Sequence, residues 1–118
     1  MKTHRDLDVW KEGIELATLI YKLTDTFPKE ERYGLSDQLK RSAVSIPSNI
    51  AEGAARHSSK EFVQYLYIAL GSASELETQL IISKKVGFLS ETDIFETLER
   101  VKSQLLGLIR YLKGKGAK

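Results

Sequence analysis

The sequence contains no cysteine, only two histidines and only two prolines. The lack of cysteine excludes disulfides, thiolate catalysis and cysteine-ligated zinc or iron–sulfur sites. Neither histidine follows a glutamate by three positions, so the Glu-x-x-His pairs that hold metal ions in helical bundles are absent. No apolar run approaches the roughly 20 residues that cross a membrane, and no phosphate-binding glycine loop or Gly-x-Ser-x-Gly elbow occurs. We therefore expect no metal, no cofactor, no catalytic residue and no membrane partner.

The remaining composition is that of a small folded chain. Its 118 residues fit one domain over residues 1–118, and 42% are hydrophobic against 29% charged. The basic start is followed by an amphipathic pattern rather than by the apolar core of a signal peptide. We therefore expect a cytoplasmic protein.

Apolar residues recur every three to four positions through most of the chain, which indicates amphipathic helices. The pattern predicts four helices, over residues 7–27, 35–52, 59–86 and 91–113, and a flexible basic tail at 114–118. Short connections favour antiparallel neighbours. The predicted fold is therefore all-α, an antiparallel up-down-up-down four-helix bundle. The expected helix starts are Asp6 or Asp8, Ser58 with Glu61 as a capping box, and Ser90, and the expected ends are Gly53 and Gly87.

Pro47 lies inside the pattern of the second helix. A proline there removes the hydrogen bond to the carbonyl of Ala43, so we predict a kink at this position. The alternative is that the segment divides into two shorter helices.

The first helix has an apolar surface that is wider than one partner helix can cover. It therefore lies deep between neighbours or also contacts another chain. We predict a subunit interface formed by Trp10, Ile14, Ala17 and Tyr21. In the third helix, residues 69–74 are rich in small side chains, which favour the close approach of a neighbouring helix.

The most distinctive stretch is RSAVSIPSNIAEG, at residues 41–53. With DVWK at 8–11 before it and GSASELETQ at 71–79 after it, the chain resembles the four-helix-bundle proteins encoded in bacterial 23S rRNA intervening sequences. The resemblance covers about residues 6–112. Its most specific part is the family motif, which consists of Ser45, Ile46, Pro47, Ser48, Asn49, Ile50, Ala51, Glu52 and Gly53.

The resemblance implies a small antiparallel bundle that assembles as a homopentamer. The family is also similar to the accessory variability determinant of diversity-generating retroelements, a pentameric bundle that engages a reverse transcriptase and nucleic acid through a basic surface. The family name by itself does not establish RNA binding.

Polar residues of the motif allow two interpretations. Ser45, Ser48, Asn49 and Glu52 could face a ligand, or they could satisfy backbone groups freed by Pro47. Glu77 falls partly within an apolar arc, where it could act as a general base or pair with a basic residue such as Arg41.

Positive charge is concentrated at the end of the chain. Residues 100–118 contain six basic and no acidic residues, whereas residues 1–99 contain 12 basic and 16 acidic. Lysines and arginines on such a surface bind phosphates, and an oligomer repeats every contact. The predicted nucleic-acid contacts are Lys84, Lys85, Arg110, Lys113, Lys115 and Lys118.

These patterns lead to one functional hypothesis and one alternative. The hypothesis is a non-enzymatic homo-oligomeric bundle, pentameric by the resemblance, that acts as a scaffold or adaptor and binds RNA, DNA or a protein partner. The alternative is a small ligand-binding or enzymatic bundle whose polar pocket is formed by Asn49, Glu52 and Glu77.

Overall fold

The computed structural model describes residues 3–90 and 93–116. It contains four α-helices, α1 (Asp8–Thr24), α2 (Leu35–Ala54), α3 (Ser59–Lys85) and α4 (Asp93–Gly116). Two single-turn 3-10 helices, His4–Asp6 and Lys29–Glu31, precede α1 and α2. Since these ranges contain helices and no strand, the predicted all-α four-helix fold is confirmed.

The helices form a bundle around one apolar core. α1 packs on α2 and α4, α3 also packs on α2 and α4, and within the described ranges α1 and α3 lie diagonally without direct helix contact. Ser42 of α2 forms a hydrogen bond with Gln79 of α3, and Ser45 of α2 forms one with Ser72. Residue numbers therefore increase along α2 in the direction in which they decrease along α3. This order is the one expected for antiparallel neighbours. The largest side chains fully buried in the core are leucines and isoleucines such as Leu16, Ile46 and Leu76.

Several predicted helix ends are confirmed. Ser58 is the N-cap of α3, where its hydroxyl accepts a hydrogen bond from the Glu61 backbone N–H at 3.2 Å. Gly87 follows α3 with a φ of +89°, a conformation that residues with a Cβ rarely adopt. The predicted cap at Ser90 stays a prediction, because residues 91 and 92 lie outside the described part of the chain.

Other predicted ends are wrong. The residue before α1 is Leu7, and neither Asp6 nor Asp8 caps that helix. α1 ends at Thr24. Just beyond it, the Thr26 hydroxyl donates a hydrogen bond of 2.7 Å to the Leu23 carbonyl, in place of a backbone donor from the next helical turn. Phe27 then turns into the core beside Phe88.

The predicted tail is also partly wrong, because α4 continues through residue 116 and Lys115 therefore lies on the helix. Residues 117 and 118 fall outside the described ranges.

Pro47 lies within α2, which is one continuous helix, so the alternative of two shorter helices is wrong. The kink at Pro47 stays a prediction. The proline ring packs against Gly13 of α1, where a Cβ would lie 3.4 Å from the Cβ of Pro47. A glycine on α1 therefore gives the ring room to approach.

The prediction that Gly53 ends α2 is wrong, because this glycine lies inside the helix. A Cβ at Gly53 would lie 2.7 Å from the Cβ of Tyr65 and 2.9 Å from Cδ1 of Phe62. Glycine is needed here because α2 and α3 approach closely where the chain reverses, and not because the helix stops.

We predict that Gly53→Ala lowers the free energy of unfolding by about 1–3 kcal/mol, because backbone and ring atoms must move to admit the methyl group. Gly107→Ala is the matched control, since a Cβ on this helical glycine meets only Arg110 Nη2 at 4.0 Å. Alanine should raise stability there by about 0.5–1 kcal/mol through helix propensity. Urea unfolding measures both changes, and two variants of equal stability would contradict the packing argument.

Candidate subunit and nucleic-acid interfaces

Apolar side chains from α1 and α2 share one side of the bundle, here called the α1–α2 face. They surround a shallow groove of about 330 Å³, into which the ring of Pro47 and the hydroxyl of Ser48 also face. The α1–α2 face consists of Trp10, Ile14, Ala17, Tyr21, Val44 and Ala51. The structure thus places all four residues of the predicted subunit interface on one side, together with exposed members of the family motif.

The exposure of this face is divided between its members. Trp10 and Ala17 are half-buried and pack against the core, which accounts for part of the wide apolar surface of α1. Ile14, Tyr21 and Val44 remain 42%, 48% and 40% exposed. Each of these side chains therefore keeps two-fifths or more of its surface in contact with solvent.

The rim of the face near Tyr21 is basic. Lys40 Nζ lies 5.1 Å from the centre of the Tyr21 ring, a cation–π contact, and Lys40 forms no ion pair with any described carboxylate. Arg41 is paired with Asp37 at 2.9 Å on its own helix. Lys40 is therefore the net positive charge beside the apolar groove.

Most of the family motif has a structural role. Ile46 and Ile50 are fully buried, Pro47 meets Gly13, and Gly53 meets α3. Ser45 shares a hydrogen bond of 2.8 Å with Ser72 of α3. Asn49 donates through its Nδ2 to the carbonyl and the hydroxyl of Ser45, and not to the Ala43 carbonyl that Pro47 frees. This bonding does not replace the hydrogen bond that Pro47 removes. Ser48 and Glu52 are the exposed members of the motif.

The pocket predicted from Asn49, Glu52 and Glu77 does not form. Asn49 is engaged within α2, and Glu52 pairs with Arg56 at 2.8 Å. Glu77 pairs across helices with Lys102 of α4 at 3.0 Å. Glu77 is thus bonded to α4, whereas Asn49 and Glu52 each bond to a residue four positions away along their own segment.

Lys102 is a cation held between two carboxylates. Its hydrogen bond to Glu77 raises the pKa of Lys102 above 10.5, with the negative charges of Glu77 and Glu99 adding to the effect and burial opposing it. Because the folded-state pKa is raised, the stabilisation is complete below the ordinary lysine pKa and is lost as the pH rises through the raised value. Glu77 is thus half of an ion pair between α3 and α4.

We predict that Glu77→Gln lowers the free energy of unfolding by about 0.5–1 kcal/mol at pH 7. The deficit should shrink as the pH rises beyond the ordinary lysine pKa and Lys102 deprotonates. Glu12→Gln is the matched control, because it breaks a pair with Arg100, which keeps its charge as the pH rises. Denaturant unfolding from pH 7 to 12 measures both, and a Glu77→Gln deficit that is independent of pH would contradict this role.

The predicted basic contacts divide between the two ends of the bundle. Lys84 Nζ lies over the ring of Phe95 at the start of α4, and Lys113 Nζ lies over the ring of Tyr67 near the start of α3. At about 1.5 Å per residue, these positions on α4 are about 27 Å apart. Lys85 is exposed beside Lys84, and Lys118 lies outside the described residues.

A lysine that the sequence did not single out joins the second group. Lys60, at the start of α3, lines a groove of about 530 Å³ with Tyr67 and Lys113. In the predicted antiparallel bundle the start of α3 lies beside the end of α4, and that predicted topology could have identified Lys60. We call the set Lys60, Arg110, Lys113 and Lys115 the basic end.

The positive charge of α4 is not all available. Arg100 is paired with Glu12 at 3.0 Å, and Lys102 is paired with Glu77. Members of the basic end form no ion pair with a carboxylate in residues 3–90 and 93–116, although Lys113 donates to Tyr67 Oη at 3.2 Å. The excess positive charge of the last segment is therefore concentrated at this end.

Two further findings concern other kinds of site. Within the described ranges, no three histidine, aspartate or glutamate side chains are grouped so that they could hold a metal ion. None of the helices in those ranges has the length and apolarity needed to cross a membrane.

Fold and surfaces together define a small four-helix-bundle protein with an exposed apolar face and a basic end. Residues 5–109 match the model of the family described as 23S rRNA-intervening sequence protein, and the chain therefore belongs to that family. The expected family membership is confirmed.

A solved structure with the same fold comes from Bacteroides thetaiotaomicron VPI-5482, and is described as a protein with unknown function from the S23 ribosomal protein family. It is 26% identical to this chain, and the match covers 86% of this chain and 95% of that one with a TM-score of 0.80. No curated protein matches the chain.

Proposed function

We propose that the protein is a non-enzymatic scaffold that assembles with itself through the α1–α2 face, in the cytoplasm and as a homopentamer. The observation that carries the proposal is the exposure of Ile14, Tyr21 and Val44, three large side chains at least 40% exposed, around two adjoining grooves that share Val44. Apolar groups clustered in this way are typical of protein contact surfaces. The number of subunits rests on the family resemblance.

The physical basis is removal of apolar surface from water. Covering one half-exposed isoleucine or valine stabilises an assembly by about 1 kcal/mol, at roughly 25 cal/mol per Å². The half-buried Trp10 and the adjoining Ala17 and Ala51 enlarge the area that a partner can cover, and none of the three carries a charge. The rigid helix packing under the face means that little ordering is needed upon association.

We predict that the purified protein forms an oligomer several times heavier than its 13.3 kDa chain. Ile14→Glu combined with Val44→Glu should dissociate it, because each new carboxylate would be buried without a partner. Tyr111→Glu is the control, since Tyr111 is a 64% exposed aromatic residue on α4 outside the face. Light scattering measures the mass, and a wild-type monomer at micromolar concentration would sink the proposal.

A second function, binding of nucleic acid, is supported by the basic end. Lys60 and Lys113 line one groove there, with a half-exposed Tyr67 ring beside them. Arg110 and Lys115 lie within one helical turn of Lys113 on α4, and none of the four cations has a carboxylate partner in the described residues. Each cation that neutralises a phosphate releases a counterion, so the affinity depends on salt. One subunit makes few contacts, but an assembly multiplies them.

We predict that the protein binds an RNA hairpin with an affinity that falls steeply with salt. Changing Arg110, Lys113 and Lys115 together to Glu should make the log–log salt dependence shallower by about 2–3 units per bound subunit. The control is a second triple variant, in which Lys29, Lys84 and Lys85 are changed to Glu. It changes the net charge by the same amount at the other end of the bundle. Fluorescence anisotropy measures both, and equal losses in the two triple variants would reject the basic end as the site.

A further inference from the structure

The outward surface of α3 also exposes large apolar side chains, in two groups separated by Ser74, Glu75 and Thr78. Ile68 and Ile82 are 51% and 46% exposed, and Tyr67 and Ile81 are exposed beside them. The opposite side of the same helix is buried in the core, with Leu66, Ala73 and Leu80 fully covered. A surface helix of a monomer is expected to be polar on its outer side, so this helix has the pattern of one that packs on both sides.

Gly71 lies in the middle of this surface, and the space beside it is empty. No atom lies within 4 Å of where its Cβ would be, so no helix of the same subunit approaches it. The close approach predicted from the small residues at 69–74 therefore occurs on one side only, where Ala69 and Ala73 face the core. We call the outward surface, formed by Ile68, Gly71, Glu75, Ile81 and Ile82, the α3 outer face.

The two apolar faces lie on different sides of the bundle. α3 packs on α2 and α4 and is diagonal to α1, so the outer side of α3 points away from α1. One subunit can therefore offer both faces to two different neighbours at the same time. A face that pairs with its own copy gives a dimer with two-fold symmetry, whereas two different faces that pair with each other give a ring or a filament.

The charges on the two faces have opposite signs. Glu75 forms no ion pair in the described residues, and its one hydrogen bond, from Gln79 Nε2, is long at 3.5 Å. Lys40, on the rim of the α1–α2 face, is likewise without a carboxylate partner. An unpaired anion within one apolar surface and an unpaired cation beside the other suit each other and would repel copies of themselves.

We propose that the α3 outer face receives the α1–α2 face of a second copy of this chain, so that the subunits assemble head to tail. This inference rests on the proposed self-assembly and specifies which surfaces meet. In such a contact the apolar side chains of the α1–α2 face cover those of the α3 outer face, and Lys40 of one copy pairs with Glu75 of the next.

Mixing two variants tests this pairing. One variant carries Ile14→Glu and Val44→Glu, and the other carries Ile68→Glu and Ile82→Glu. Each should be monomeric by light scattering, because each lacks one of the two faces. Mixed at equal amounts and about 0.1–0.5 mM, they should form one dimer, since the intact α3 outer face of the first still fits the intact α1–α2 face of the second.

The remaining outcomes are distinct. Two results would overturn the head-to-tail pairing but leave self-assembly standing. In one, the second variant keeps the full mass of the wild-type oligomer. In the other, both variants dissociate but their mixture stays monomeric. A monomeric wild-type protein overturns the proposed function itself. Tyr111→Glu should keep the wild-type mass, and circular dichroism should report native helix content in every variant.

A charge exchange gives a second test that does not disturb the apolar side chains. Lys40→Glu and Glu75→Lys should each weaken assembly about tenfold, because each places like charges together. The double variant should recover most of the wild-type affinity, since the pair is restored with its signs reversed. Absence of that recovery, measured by concentration-dependent sedimentation, would overturn the contact between Lys40 and Glu75.

Discussion

The close approach of α2 to its two neighbours is the constraint on which the rest of the structure depends. On one side Pro47 packs against Gly13 of α1, and on the other Gly53 leaves no room for a Cβ between itself and α3. Ile14 follows Gly13 and Val44 lies three positions before Pro47, and both remain exposed beside this contact. The packing that holds the bundle together therefore also produces its exposed apolar groove.

Polar side chains then fix how α2 and α3 are aligned. Ser42 is buried and bonds to Gln79 at 2.8 Å, while Ser45 bonds to Ser72 at the same distance. A shift of one helix along the other would leave these groups without partners inside a dry interface, which costs about 1–3 kcal/mol each. Apolar packing alone tolerates small shifts, so these pairs determine the register. That register sets where the glycine of the motif meets Phe62 and Tyr65.

The fold could be predicted from the sequence because helix periodicity and turn residues are local signals. The grouping of Trp10, Ile14, Ala17 and Tyr21 on one side of α1 follows from their spacing alone. Gly53 was misread, because a glycine near a helix end resembles a cap until the facing helix is known. The partner of Glu77 lies 25 positions away on another helix, and no local pattern indicates it. Lys60 was missed for the same reason, since its neighbours at the basic end come from α4.

The positions of the two faces and of the basic end have a joint consequence. Both faces run along the sides of the bundle, whereas Lys60, Arg110, Lys113 and Lys115 lie at one end of it. Rotation about a single axis turns each subunit into the next without exchanging its ends. A closed ring built through the sides would therefore carry every basic end on the same rim. The small basic patch of each subunit would then join its neighbours in a continuous band, and a polyanion that spans the rim would bind several subunits at once. Assembly and binding of nucleic acid would then be coupled, because the second function needs the repetition that the first supplies.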